Sequence, residues 1–249
     1  MTPDVVVDVG NTRIKWGHCR SGRIVAVASL SPDAPGDWEH QIVIWGLGPS
    51  SLWVLTGVHP ARRDALSDWL QARGEQVLVL KDHNCLPLRV ALERPDRVGI
   101  DRLLNAVAAL SDRRANQPAA IIDAGSAVTV DWVDAGGAFR GGAILPGFRL
   151  MAEALHSYTA QLPLIEIRNP DPPLPGGDTK SAMEAGIFWT MVGGVQLMID
   201  QLARLEQTEP SVFVTGGDGH RLSPFISRTH KLWPEMTLEG VRLSAEAMS

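Results

Sequence analysis

The sequence predicts an α/β protein built as two related halves, and three features of the chain lead to that expectation. Val5, Val6 and Val7 run into Asp8-Val9-Gly10-Asn11-Thr12-Arg13-Ile14-Lys15, the pattern of a buried strand that ends in a tight turn. The same order returns where Ala120, Ile121 and Ile122 run into Asp123-Ala124-Gly125-Ser126-Ala127-Val128-Thr129, and two strand-Asp-x-Gly turns in one chain point to duplication. Between them, the stretch from Leu52 to Leu80 reads strand, helix, strand, which implies a right-handed parallel crossover. At 249 residues the chain has room for two modest domains. The expected halves are 1–115 and 116–249, facing a shared cleft.

In chain order, Ile14 to Cys19 and Arg23 to Ser29 are expected as antiparallel strands joined by the Ser21-Gly22 turn. Pro32, Pro35 and Gly36 break the chain, and Leu52 to Leu55 follows as a buried strand ending at Thr56-Gly57. Pro60 starts a helix with Leu66, Trp69 and Leu70 on one face, and Gln76 to Leu80 is the next strand. Residues Lys81 to Val98 read as a surface connection, after which Leu103, Leu104, Val107, Ala108 and Leu110 mark an amphipathic helix. Beyond the second repeat, Ala138 to Gly147 is expected as two short strands meeting at Gly141-Gly142, followed by a helix from Phe148. Pro163 to Gly177 reads as a mobile proline-rich loop, Thr179 enters a long helix, and Ser211 to Val214 is a strand leading into Thr215-Gly216-Gly217.

Composition narrows the function classes. Hydrophobic residues make up 45% and charged residues 20% of the chain, with a formal net charge of -5, which suits a soluble globular protein and argues against a nucleic-acid partner. Cys19 and Cys85 are the two cysteines, and with no metal-ligand or disulfide spacing they favour a reducing, cytoplasmic setting. The N-terminal stretch has no signal-peptide pattern. The most apolar window, Ala185 to Ile199, is interrupted by Gly193, Gly194 and Gln196 and is shorter than the roughly 20 residues a bilayer span needs. It is expected as a buried helix, with no membrane partner.

The polar residues at the strand ends carry the chemistry. Asp8 can face a metal ion, Gly10 frees the backbone to turn, Asn11, Thr12 and the following amides offer donors to an anion, and Lys15 can meet a phosphate. The same residues also suit a hairpin whose Asp and Asn satisfy their own turn amides. Asp101 and Arg102, after Gly99 and Ile100, stand at a helix start, where an Asp can equally be a cap or first-turn acid. Gly216 and Gly217 permit close approach of a nucleotide, or form an ordinary glycine turn.

Taken together, these segments resemble the type III pantothenate kinases, of the superfamily that includes acetate and sugar kinases, actin and heat-shock ATPases. The resemblance covers most of the chain. It rests on Asp8 to Thr12, Gly99-Ile100-Asp101-Arg102 with Asn105, Asp123 to Thr129, Gly141 to Gly147, Thr179 and Gly216-Gly217, in that order. It implies duplicated ribonuclease H-like, actin-like halves with mixed sheets flanked by helices, and ATP-dependent phosphorylation of pantothenate to 4'-phosphopantothenate at the start of coenzyme A biosynthesis.

By resemblance, Asp8, Val9, Gly10, Asn11, Thr12, Arg13, Ile14 and Lys15 bind ATP phosphates, with Asp8 toward Mg2+. Ser126 contacts ATP where the family has Thr, and Gly216 and Gly217 complete the nucleotide site. Asp101 matches the catalytic base, Gly99, Ile100, Arg102 and Thr179 match substrate-binding positions, and Asp123 matches a ligand for a monovalent cation, K+ or NH4+. A homodimer is implied too, and the apolar run from Ala185 to Ile199 with Gly141-Gly142 suits a two-fold interface. Two departures stand out: Leu92 precedes Pro95 where the family carries a substrate-contacting Tyr, and Ile100 replaces a small residue. The competing readings are a kinase for another hydroxy acid or sugar, which a substrate screen separates, and a non-catalytic nucleotide-binding regulator. Retention of Asp8, Asp101, Arg102 and Asp123 opposes the second.

Overall fold

The computed structural model describes residues 1–248, grouped into two compact units. The first is Met1–Asp112 with the stretch from Glu235 onward, and the second is Arg113–Pro234. The C-terminal helix is thus grouped with the first unit, whereas halves of 1–115 and 116–249 would assign it to the second.

The sheet of the first unit contains β1 (Val5–Val9), β2 (Ile14–Arg20), β3 (Arg23–Leu30), β4 (Leu52–Gly57) and β5 (Gln76–Val79), in the order β3-β2-β1-β4-β5. β1, β2 and β3 form the expected antiparallel meander, and β4 and β5 run parallel to β1. Successive side chains on a strand alternate faces, and the sequence uses both. Val5, Val7, Val9, Ile14, Trp16, Trp53 and Leu55 pack with Trp38 and Ile42 of α1 (Pro35–Trp45) and Leu66 and Leu70 of α2 (Pro60–Ala72). Proline at each helix start supplies a helical φ where no backbone donor is required.

The opposite face carries Val6, Asp8, Gly17, Val54 and Thr56, which α3 (Ile100–Asp112) and the C-terminal helix (Met236–Ala247) cover. These two helices meet almost backbone to backbone: a Cβ at Gly240 would lie 2.1 Å from the Leu104 carbonyl oxygen. Thr237 Oγ1 donates to Asn105 Oδ1 across the same contact at 2.8 Å. That close approach is the physical reason the last helix joins the first unit. Gly240→Ala should therefore push the helices apart and destabilise the protein by about 3 kcal/mol, lowering Tm by roughly 6–12 °C. A thermal melt of the variant checks this. Between β5 and α3 the connection holds only single 3-10 turns and the two-residue β6 (Arg89–Val90).

The second unit repeats the plan with β7 (Ala119–Ala124), β8 (Ala127–Val133), β9 (Ala138–Pro146), β10 (Ser211–Thr215) and β11 (His230–Leu232). These lie in the order β11-β10-β7-β8-β9, antiparallel along β7-β8-β9 and parallel along β7-β10-β11. α4 (Phe148–Ser157) and α5 (Thr179–Glu206) cover one face, where Phe148, Phe188, Met191, Val195 and Ile199 pack on Ile122, Val128, Val130 and Val214. By length and composition α5 could cross a membrane, but Phe188, Met191, Val195 and Ile199 on it help build this core.

One expectation is corrected here. Ala138 to Pro146 is a single strand, not two short strands meeting at a glycine pair. Gly141 has φ +90° and the β8–β9 register shifts beside it, so Trp132 faces Gly141 while Val133 faces Phe139. The glycines thus host a bulge within a continuous ladder. The proline-rich stretch before α5 is irregular but pinned: Glu184 accepts the amides of Arg168 and Asn169 at 2.7 and 2.8 Å, and Trp189 Nε1 donates to the Pro172 carbonyl at 2.9 Å.

Candidate active site

In the first unit the polar residues gather where β1 and β4 end. Asp8 lies directly across from Lys15 on β2 and from Thr56 on β4, so the three share a row and a face. That face is the one α3 covers, which puts Asp8 and Asp101 on the same side of the sheet. After β1, Gly10 N donates to Arg13 O at 3.0 Å and closes a turn whose Asn11, Thr12 and Arg13 are exposed. Arg62 on α2 donates to the Asn11 carbonyl and fixes the turn's outer side. Val9 and Ile14 are fully buried, so any part they take in anion binding is through their backbone.

β4 ends against this turn. Gly57 has φ +152°, and a Cβ there would lie 2.4 Å from the Val9 carbonyl oxygen, so the backbone requires glycine.

At the start of α3, Asp101 is a first-turn residue, and its Oδ1 accepts the Arg102 amide at 2.9 Å. Burial pushes its carboxyl above the ordinary aspartate value, and the Arg102 amide and guanidinium only partly offset that. A half-buried carboxylate with raised proton affinity is suited to accept a proton near neutral pH. Gly99 makes room for it: a Cβ there would lie 2.5 Å from Asp101 Oδ1. Gly99→Ala should therefore turn the carboxylate aside, cutting turnover by about 10-fold or more with little change in Tm, because the clash is with a rotatable side chain. Steady-state kinetics and a melt on the same sample check both halves of that expectation. Ile100 is buried beside it, 7% exposed, and Leu92 is half-buried.

The second unit repeats the row. Asp123 lies directly across from Thr129 on β8 and Thr215 on β10. Gly125 N donates to Ala127 O at 3.0 Å, closing a turn one residue tighter than the first, with Ser126 exposed at its tip. Gly216, φ +88°, again lies against the end of the first strand, where a Cβ would meet the Ala124 carbonyl oxygen at 2.4 Å. Asp218 N donates to that same carbonyl at 2.9 Å, so the Gly216-Gly217 loop wraps the Asp123 strand end. Asp123, Ser126, Gly216 and Gly217 are thus brought together.

Thr179 stands apart from that group. Asp178, not Thr179, caps α5, in a capping box with Ser181. Thr179 lines a mostly apolar cavity of about 710 Å³ with Pro146, Met151, Leu155, Met183 and Ile187.

The parallel rows carry residues that the motifs did not single out as functional: Thr56, Gly57, Thr129, Asp131 and Thr215. Their signal was present in part, since Leu55-Thr56-Gly57 and Val214-Thr215-Gly216 are themselves a repeat. All donors in both rows are oxygen or amine, which suits hard cations and phosphates. Among the described residues no group of three or more His, Cys, Asp or Glu could hold a metal by itself. A divalent ion at Asp8 would accordingly be held largely by phosphate and water, as Mg2+ commonly is.

A family model described as type III pantothenate kinase matches residues 5–201. A type III pantothenate kinase of Agathobacter rectalis is 38% identical over 253 residues, covering 96% of this chain and 95% of the relative. That of Persephonella marina is 30% identical over 245 residues, covering 94% and 95%. Among solved structures, the activator of 2-hydroxyisocaproyl-CoA dehydratase from Clostridium difficile with bound ADPNP superposes with a TM-score of 0.56 at 15% identity, covering 100% of this chain and 97% of that one. The architecture is the actin-like ATPase and sugar kinase fold.

Proposed function

The chain belongs to the type III pantothenate kinases, which phosphorylate pantothenate with ATP in coenzyme A biosynthesis, and from that premise we propose how its residues divide the work. Asp101 is the base: it takes the proton of the pantothenate hydroxyl as that oxygen attacks the γ-phosphorus and the bond to the ADP oxygen breaks. Arg102 binds the pantothenate carboxylate with its guanidinium fork, and Gly99, Ile100 and Thr179 complete the substrate contacts.

The amides of the Gly10 to Arg13 turn and Lys15 bind the ATP phosphates, and Ser126, Gly216 and Gly217 are nucleotide-binding residues. Asp8 would hold Mg2+, which when bound would neutralise phosphate charge. Asp123 holds a monovalent cation, K+ or NH4+. Its row contains one carboxylate and two threonine hydroxyls, a donor set that fits such an ion.

It is the joint position of Asp8 and Asp101 on one face of the first sheet, with Gly99 leaving space for the carboxylate, that supports this assignment. The deciding experiment is a coupled ADP-release assay of the pure protein with pantothenate, ATP and Mg2+, in potassium or in sodium. Turnover that requires pantothenate supports the assignment. ADP release indifferent to pantothenate would end it.

A cytoplasmic homodimer belongs to the same proposal. Exposed Leu197 and Leu205, at 58% and 70%, line a groove with Gly141, Gly142 and Ala143. Isologous pairing is the usual way such a patch is covered. Sedimentation at micromolar concentration should give twice the 26.9 kDa chain mass. A fully active species at the single-chain mass would count against it.

A further inference from the structure

The turn after β1 is held from outside by a residue that belongs to none of the motifs. Gly57 ends β4 against the Val9 carbonyl, and the chain passes at once to His59, whose side chain caps α2 by accepting the Arg62 amide at 3.4 Å. Arg62 stands one turn before Leu66, on the stripe that runs on to Leu70 and packs against the sheet. At the end of that stripe Arg62 Nη1 donates to the Asn11 carbonyl. Its Nη2 lies 3.6 Å from Asp33 Oδ2, so a carboxylate already meets the guanidinium charge.

This grip has a direction. α2 covers the face of the sheet that carries Val9 and Ile14, whereas Asp8 lies on the opposite face, the one α3 covers. A trans peptide points its carbonyl and its amide hydrogen to opposite sides. With the Asn11 carbonyl drawn toward α2, the amide hydrogen of Thr12, in the same peptide plane, is turned toward the side of Asp8 and Asp101. Gly10 N, bonded to Arg13 O, ties together the two ends of the segment that contains this peptide.

We propose that Arg62 is a positioning residue for phosphoryl transfer: it aims the Thr12 amide at the ATP phosphates without touching them itself. The inference rests on the reading of this turn as the phosphate site and goes beyond it in naming what sets the turn's polarity. A peptide turned the other way would present the Asn11 carbonyl oxygen, which repels phosphate oxygens as an amide hydrogen attracts them. One guanidinium on α2 thus decides the sign of the partial charge offered to the nucleotide.

The test is calorimetric titration with ATP and Mg2+ in the absence of pantothenate, with a thermal melt of each variant. Arg62→Ala should weaken ATP binding roughly 10-fold, the scale of one hydrogen bond to a charged group, at unchanged Tm, because an exposed ion pair adds little stability. The loss should be equal in low and in high salt, since the orientation of an amide is not screened as a distant charge is. In steady state, KM for ATP should rise and KM for pantothenate should not. Thr12→Pro, which lacks the amide hydrogen, should show the same loss, and adding Arg62→Ala to it should cost nothing further. Parent affinity for ATP in Arg62→Ala overturns the inference. So does a loss that disappears in high salt, which would make Arg62 a direct phosphate contact, or one shared by pantothenate at lowered Tm, which would make it structural. A folded Thr12→Pro with parent affinity removes the phosphate reading of the turn, and this inference with it. If Thr12→Pro does not fold, the salt comparison on Arg62→Ala decides alone.

Discussion

Asp101→Asn should lower turnover by about 100-fold or more, the usual scale for a lost general base, while melting at the parent temperature or above it. The two effects have one cause. Burial raises the Asp101 proton affinity in the folded protein, so folding favours the protonated form and the ionised carboxylate opposes folding. The parent should therefore lose stability as pH rises from the ordinary aspartate value through the raised folded one, and the neutral amide should not. In kinetics, the acid limb of kcat/KM should lie above the ordinary aspartate value in the parent, because the base must be ionised. ATP binding should be largely unchanged, since the nucleotide residues proposed for the first unit are on β1, its turn and the start of β2, not on α3. Near-normal turnover in Asp101→Asn, with loss in Asp8→Asn, would reduce Asp101 to a first-turn acid of α3.

Asp123→Ala should remove most activity together with the difference between potassium and sodium. The neighbouring Thr129 and Thr215 hydroxyls supply oxygens but no charge, and neutral oxygens alone hold a monovalent ion weakly against water. What remains in the variant should therefore be the same in either salt. Folding should survive, because Asp123 is half-buried at a strand end rather than in the core. Equal rates of the parent in the two salts would contradict the assignment, and a variant still activated by potassium would move the ion elsewhere.

Much of this architecture was legible in local sequence because the elements announce themselves at short range. The Ser21-Gly22 turn between two apolar runs marks the hairpin observed as β2 and β3, and Pro60 marks the start of α2 where the structure has it. Gly141-Gly142 misled for a physical reason. A glycine pair reads as a turn, but with β8 alongside, the ladder continues and the freedom at Gly141 is used for a bulge. Asp131 was invisible for another: a single acid between Val130 and Trp132 looks like a solvent-facing strand position, and only the sheet reveals that it is enclosed by Thr129 and Gly142. The partner of Gly240 was equally out of reach, since nothing near that glycine says that the Leu104 carbonyl lies against it.

The return of the C-terminal helix to the first unit bears on how the protein is born. A ribosome must complete residues 113–234 before it reaches the helix that carries Thr237 and Gly240. The second unit is contiguous and can gather its whole core while translation proceeds. The first, although it emerges earlier, must wait with the α3 surface around Asn105 and Leu104 uncovered until the helix that follows residue 234 has been made. The opening turns of that helix therefore act as the closing stitch of the part that was made first, and in the nascent chain the Asp8 and Asp101 side of the enzyme matures after the second unit has been made.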